Sequence, residues 1–305
     1  MGLGRISHTL FVASLAALVI GSVPVALGDT LYFSPSLSSG NWDDEDNWKS
    51  TSCAGSPAND IPDAADDVVI CTGKTATVGT ANGAARTVAS EGTGKVEVTP
   101  GSGSGQNATL SLGSGSSDLT SSAPITLKDG GGPSIAILAI VSANHTLSSG
   151  VGGEDSDAQI SIAANKTLTN GGLIAGRLMV TSGSSATFVN DGVVYGNHPS
   201  GLITIAAYVV DDTADADWQV INGGAIKFDS SINTVNALDG DFFLLPGFGG
   251  SEIEINKSIT TTGFLSQSIG TLTLNENLTM GGSGSPLDFK GGTIDVAAGK
   301  FFTHE

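Results

Sequence analysis

Basic side chains are scarce in this chain: 12 Lys and Arg stand against 30 Asp and Glu in 305 residues. A surface of that sign repels phosphate, anionic lipid and polyuronate chains, so nucleic-acid binding is excluded. Cysteine is nearly absent too. Cys53 and Cys71 are the only two, without a C-x-x-C or Cys/His zinc spacing. Beyond the first 28 residues there is no apolar run long enough to span a membrane. Histidine there is limited to His145, His198 and His304, and arginine to Arg86 and Arg177. That leaves little to abstract protons or hold a uronate carboxylate, so no catalytic residues are assigned and an enzyme is not expected. Glu, Lys and Arg are few, and no helical stripe of apolar residues is found.

What is present points to export and to β-structure. Arg5 and His8 precede an apolar stretch from Leu10 to Ile20, and Ala26-Leu27-Gly28 forms a small-x-small cleavage site before Asp29. Residues 1–28 therefore read as a secretory signal, with no membrane span once it is removed. Its loss leaves 11 basic against 30 acidic residues, a net charge of −19. In an oxidising compartment Cys53 and Cys71 are expected to form one disulfide, the alternative being two unpaired buried thiols. Glycine, at 43 residues, suits many tight turns, while Val, Ile and Leu at alternate positions argue against a disordered linker.

A ten-residue pattern recurs: Val68–Thr77, Ala139–Ser148, Ile160–Thr169 and Ile294–Thr303. Each copy has apolar residues two apart, two small residues, then Asn or Gly, usually Lys, and a return to apolar residues. Alternation of this kind marks a strand with one buried face, and Asn or Gly at a fixed place suits a corner with positive φ. Aligning Asn165 with Asn144 puts His145 on Lys166, an outward corner. Weaker copies run through Ile253–Ile259 and Leu272–Met280. Apolar strand positions at Ile160, Leu178, Ile203, Ile226, Ile253, Leu272 and Ile294 are about 22 residues apart, within the spacing of solenoid coils. The expectation is all-β: a right-handed parallel β-helix, or β-solenoid, on the order of a dozen coils long. Residues 29–66 read as an N-terminal cap segment and 67–305 as the solenoid, which stops after a repeat strand as a fragment of a longer protein would.

The segment from Gly40 to Val78 carries GNWDDEDNW, Pro62, then DAADDVVI and a GKTATV turn. It resembles the opening of secreted bacterial β-strand-repeat proteins, and the later half is similar to the eight-glycine domain of extracellular β-rich proteins. The resemblance implies a parallel β-helix acting as an adhesin, a matrix or envelope component, or a carbohydrate-active domain. Partners would be cell-surface or matrix polysaccharides or proteins.

Three groups of residues are candidate sites. Trp42 and Trp48 could stack on sugars, but plugging the open end of the solenoid core is the simpler role. Asp211, Asp212, Asp215 and Asp217 offer oxygen ligands in one short stretch; calcium is the cofactor they suggest, the alternative being a solvated acidic loop. Asp66-Asp67 and Asp211-Asp212 are acid–base pairs in principle. A secreted, non-catalytic structural or adhesive surface module is the expected function, and a polysaccharide-binding or polysaccharide-degrading β-helix the alternative. An aromatic and carboxylate-lined groove on one face would favour the alternative, a smooth Thr/Ser/Asn face the first reading.

Overall fold

The computed structural model describes residues 28–304 apart from 116, 248–249 and 282–286; the expected signal lies outside the described residues. Parallel strands stack into a three-faced β-solenoid of about ten turns. A single 3-10 turn, Glu45–Asn47, is the helical content among the described residues.

From Asp67 onward each coil contributes one strand to each face. Face A begins with Thr30–Phe33, on which Asp67–Ile70 and then Thr87–Ser90 lie in parallel. It resumes through Leu119–Ser121, His145–Leu147, Thr167–Asn170, Thr187–Asn190 and Val209–Asp212. Face B runs from Ser39–Asn41 and Thr75–Val78 to Val193–Gly196, Asp217–Val220, Asp241–Leu244, Leu265–Gln267 and Leu287–Phe289. Face C runs from Gly83–Ala85 and Ala108–Leu112 to Thr271–Leu274 and Thr293–Val296. Two long strands, Val151–Ile162 and Leu173–Ser182, turn the corner between faces B and C without a break.

Alternation builds the core. Leu178, Ile203, Ile226, Ile253, Leu272 and Ile294 form one inward column on face C. Leu138, Ile160, Val180 and Ile205 form the column beside it. A one-residue slip between coils would expose an entire column, so the apolar pattern fixes the register.

The recurrent corners fall into two types. In Ile70–Ala76, Ile162–Leu168 and Val296–Phe302, the third residue past the strand is left-handed: Gly73 at φ 70°, Asn165 at 59° and Gly299 at 77°. In all three the next residue, a lysine, donates its N–H to a carbonyl three residues back. Glycine adopts this conformation freely, and asparagine is the side chain that tolerates it best. The first of these corners joins face A to face B, the other two face C to face A, so the repeat describes a corner and not a fixed edge of the prism.

The Ala139–Ser148 copy departs from the expectation. Ile140 pairs with Ile162, but His145 pairs with Leu168 and not with Lys166. Its corner is one residue shorter, which turns His145 from the surface into the core at 2% exposure. Ile259 and Leu278, after corners shorter still, are likewise buried.

Residues 29–66, the expected cap segment, contribute strands to two of the faces. Thr30–Phe33 already belongs to face A and Ser39–Asn41 to face B, while Trp48–Ser50 folds back antiparallel on Thr30–Phe33. Trp42 and Trp48 close the core at this end, edge to face with ring centres 4.9 Å apart. The Trp48 indole N–H donates to the Trp42 carbonyl at 2.8 Å. A disulfide joins Cys53, in the excursion after that strand, to Cys71 at the end of Asp67–Ile70.

Candidate functional site

The four aspartates at 211–217 do not converge. Val209–Asp212 is a face A strand and Asp217–Val220 a face B strand, so the expected loop is a corner of only four residues. Asp211 accepts from the Asp212 backbone N–H and the Asn236 amide. Asp215 is exposed on the corner. Asp217 points outward on face B and accepts from the Gln219 amide at 2.8 Å. Asp212 turns inward: Oδ2 accepts from the Trp218 indole N–H at 2.8 Å and Oδ1 from the Asp239 N–H at 2.6 Å. Burial pushes its carboxyl up to about 6, against the hydrogen bonds from Trp218, Asp239 and Gly240. Among the described residues no group of three or more His, Cys, Asp or Glu side chains could hold a metal ion.

Asp212 ends a buried polar column. Leu147, Asn170, Asn190 and Asp212 are register neighbours on face A. The Asn170 amide donates to Asn190 Oδ1 at 2.8 Å, and each asparagine oxygen accepts from the N–H of the glycine two residues on. An Asn-x-Gly triplet in two successive coils is the sequence signal for this ladder, a weak one because isolated asparagines are common in turns.

The remaining candidates have partners within the fold. Asp66 accepts from the Asp29 and Asp63 N–H groups, and Asp67 is paired with Arg86 and with the Thr87 hydroxyl. Burial opposes ionisation of Asp67, yet these partners hold its carboxyl below the ordinary value. His145 Nε2 lies 2.8 Å from Ser121 Oγ and Nδ1 is buried without a partner, and burial lowers the imidazole to about 4.

Side chains pointing outward distinguish the three faces. Face A carries Thr120, Thr146, Thr169, Val189 and Asp211 in line. Face C carries the small residues Ser111, Ala139, Ser161 and Thr181 in one row, and Met179, Thr204, Lys227, Glu254 and Thr273 in another. Face B is different from Val193 onward. One row runs Ala175, Tyr195, Gln219, Phe243 and Ser266; the row beside it runs Val193, Asp217 and Asp241. Phe264 packs edge to face on Phe243 at 5.9 Å, and its N–H donates to Asp241 Oδ1 at 2.8 Å. Tyr195, Phe243, Asp217 and Asp241 are all half-buried. Burial raises the Asp217 carboxyl, helped by the neighbouring charge of Asp241. The members of this cluster lie on successive coils and become neighbours only through the pairing of their strands.

Three shallow clefts of 330, 340 and 450 Å³ surround the N-terminal end; the largest lies against Trp42, Ile61, Pro62 and Gly83. No described helix is long and apolar enough to cross a membrane. The chain matches no family model, no curated protein and no solved structure.

Proposed function

We propose that the chain is an exported, non-catalytic structural or adhesive module of a cell surface or extracellular matrix. The observation that carries this reading is the continuous stack of parallel rungs, pinned at its first full coil by the Cys53–Cys71 disulfide. Ten rungs at the strand spacing of a sheet give a rod of roughly 50 Å. Rods of this construction present long flat faces, and a disulfide persists where the surroundings are oxidising. The strongly acidic surface keeps such a rod soluble and away from other polyanions.

The test is expression with the leader in a secreting bacterial host. Recovery outside the cytoplasm with Asp29 at the N-terminus, with the disulfide formed and with retention on cells or matrix, supports the reading. A reduced chain confined to the cytosol overturns it. So does hydrolysis of neutral or acidic polysaccharides that is lost when Asp217 and Asp241 are changed together. That second outcome would establish a polysaccharide-degrading β-helix, the reading favoured by the carboxylates and aromatic rings sharing face B.

A further inference from the structure

Face B holds two aromatic rings in one outward row. Tyr195 and Phe243 occupy the same outward row two rungs apart, with the Gln219 amide on the rung between. Rungs of a sheet are about 4.8 Å apart, so the two rings are about 10 Å apart along the axis. An extended β-linked hexose chain advances by nearly one rung per sugar and turns every second sugar to the same side. Its alternate sugars can therefore meet Tyr195 and Phe243 in turn.

The polar groups beside the rings suit hydroxyls. Asp217 uses Oδ2 to hold Gln219, and Asp241 uses Oδ1 to hold the Phe264 N–H. Each keeps a second oxygen to accept from a sugar hydroxyl, and Gln219 Oε1 is a further acceptor. On the approach to Tyr195 the row falls to Ala175 and Gly152, and a Cβ placed on Gly152 meets open space. The rings thus stand beside a low shelf and not inside a wall. Two adjacent carboxylates on a chain of net charge −18 repel uronates and sulfated glycans.

We propose that face B from Tyr195 to Phe264 binds an extended, uncharged β-linked polysaccharide laid along the solenoid axis. Tyr195 and Phe243 are the stacking platforms, and Gln219, Asp217 and Asp241 take the hydroxyls. The proposal rests on the adhesive reading above and supplies the ligand class through which adhesion would act.

The test is calorimetric titration of the mature chain with cellohexaose, with polygalacturonate as the anionic comparison. Cellohexaose binds and polygalacturonate does not. Tyr195→Ala and Phe243→Ala each weaken binding by about tenfold or more, while Thr146→Ala on face A leaves it unchanged. Gln219→Ala, a change that removes no packed apolar surface, weakens binding with an unaltered thermal midpoint and guards against a folding artefact. The proposal is overturned if the parent chain ignores cellohexaose, or if all three face B variants bind it as tightly as the parent does. A chain that is exported and adheres normally but ignores cellohexaose refutes the ligand alone and leaves the adhesive reading in place.

Discussion

The indole N–H of Trp218 and Oδ2 of Asp212 are 2.8 Å apart in the core, six residues from each other across the corner between faces A and B. The tryptophan is fully buried and touches Phe188, Phe228 and Phe242. Its single polar atom needs an acceptor there, and a carboxylate supplies one at the cost of burying a charge. The Asp212 carboxyl accordingly titrates at about 6 in the folded chain against 3.8 for an unperturbed aspartate.

Between those values the folded chain holds a proton that the unfolded chain has released. Stability from this group is therefore full below about pH 4 and is lost as pH rises through about 6, by about 3 kcal/mol at most. Asp212→Asn should remove that falling component, read as the difference in thermal midpoint between variant and parent across pH 4–7. An identical pH profile for the two proteins would mean that the carboxyl is not perturbed.

His145 acts with the opposite sign. Burial lowers it from 6.5 to about 4, so the unfolded chain takes up the proton first and stability is lost as pH falls through that window. The two groups oppose each other between about pH 4 and 6. His145→Leu places a leucine beside Leu119 and Leu168 in the same column and removes the unpartnered Nδ1. It should raise the thermal midpoint at pH 5 by roughly 2–4 °C. It should also steepen the decline of stability with rising pH that Asp212 causes.

His145 also shows how far the sequence could be read. Apolar alternation announced the columns correctly, since a period of two is local and survives without knowledge of neighbours: Leu178 through Ile294 do stack. Corner length is not local. One residue fewer between Ile140 and His145 than between Ile162 and Leu168 reverses which side the next residue faces, and spacing from Asn to Asn conceals the deletion. The face B cluster was hidden for a related reason. Tyr195, Gln219 and Phe243 become neighbours only when the pairing of three successive coils is known.

The asparagine ladder predicts non-additive energetics. Asn170 and Asn190 are both fully buried, and replacing either alone removes the 2.8 Å amide contact between them and leaves the N–H of its own Gly172 or Gly192 without that acceptor. Each single change to leucine should cost about 2 kcal/mol. The double change extends the column begun by Leu147 and should cost less than the two single changes together by about 1 kcal/mol or more, measured as a double-mutant cycle in urea. Simple additivity would show that the amide contact contributes nothing.

Two asparagines aligned by sequence should respond differently to substitution. Asn165 is left-handed, so Asn165→Gly should be neutral or stabilising and Asn165→Ala should cost about 1 kcal/mol. Asn144 instead accepts from the Thr167 N–H of the next coil through Oδ1 at 3.0 Å. There glycine and alanine should both be destabilising, because both lose that bond. Equal responses at the two positions would contradict the two corner types.

The disulfide bounds the last expectation. Cys53 and Cys71 are 18 residues apart, so closing that loop stabilises by about 3 kcal/mol on chain-entropy grounds. The bond ties the excursion after Trp48–Ser50 to the rung bearing Val68 and Ile70, and nothing beyond it. Solenoid coils contact only their neighbours, so the effect of breaking it should decay along the stack. Reduction should speed amide exchange in Thr30–Phe33, Trp48–Ser50 and Asp67–Ile70 and leave Ala225–Phe228 and Glu252–Ile255 at their original rates. Uniform acceleration along the whole chain would instead mean that all the coils unfold as one cooperative unit, and that the N-terminal end governs the stability of the entire rod.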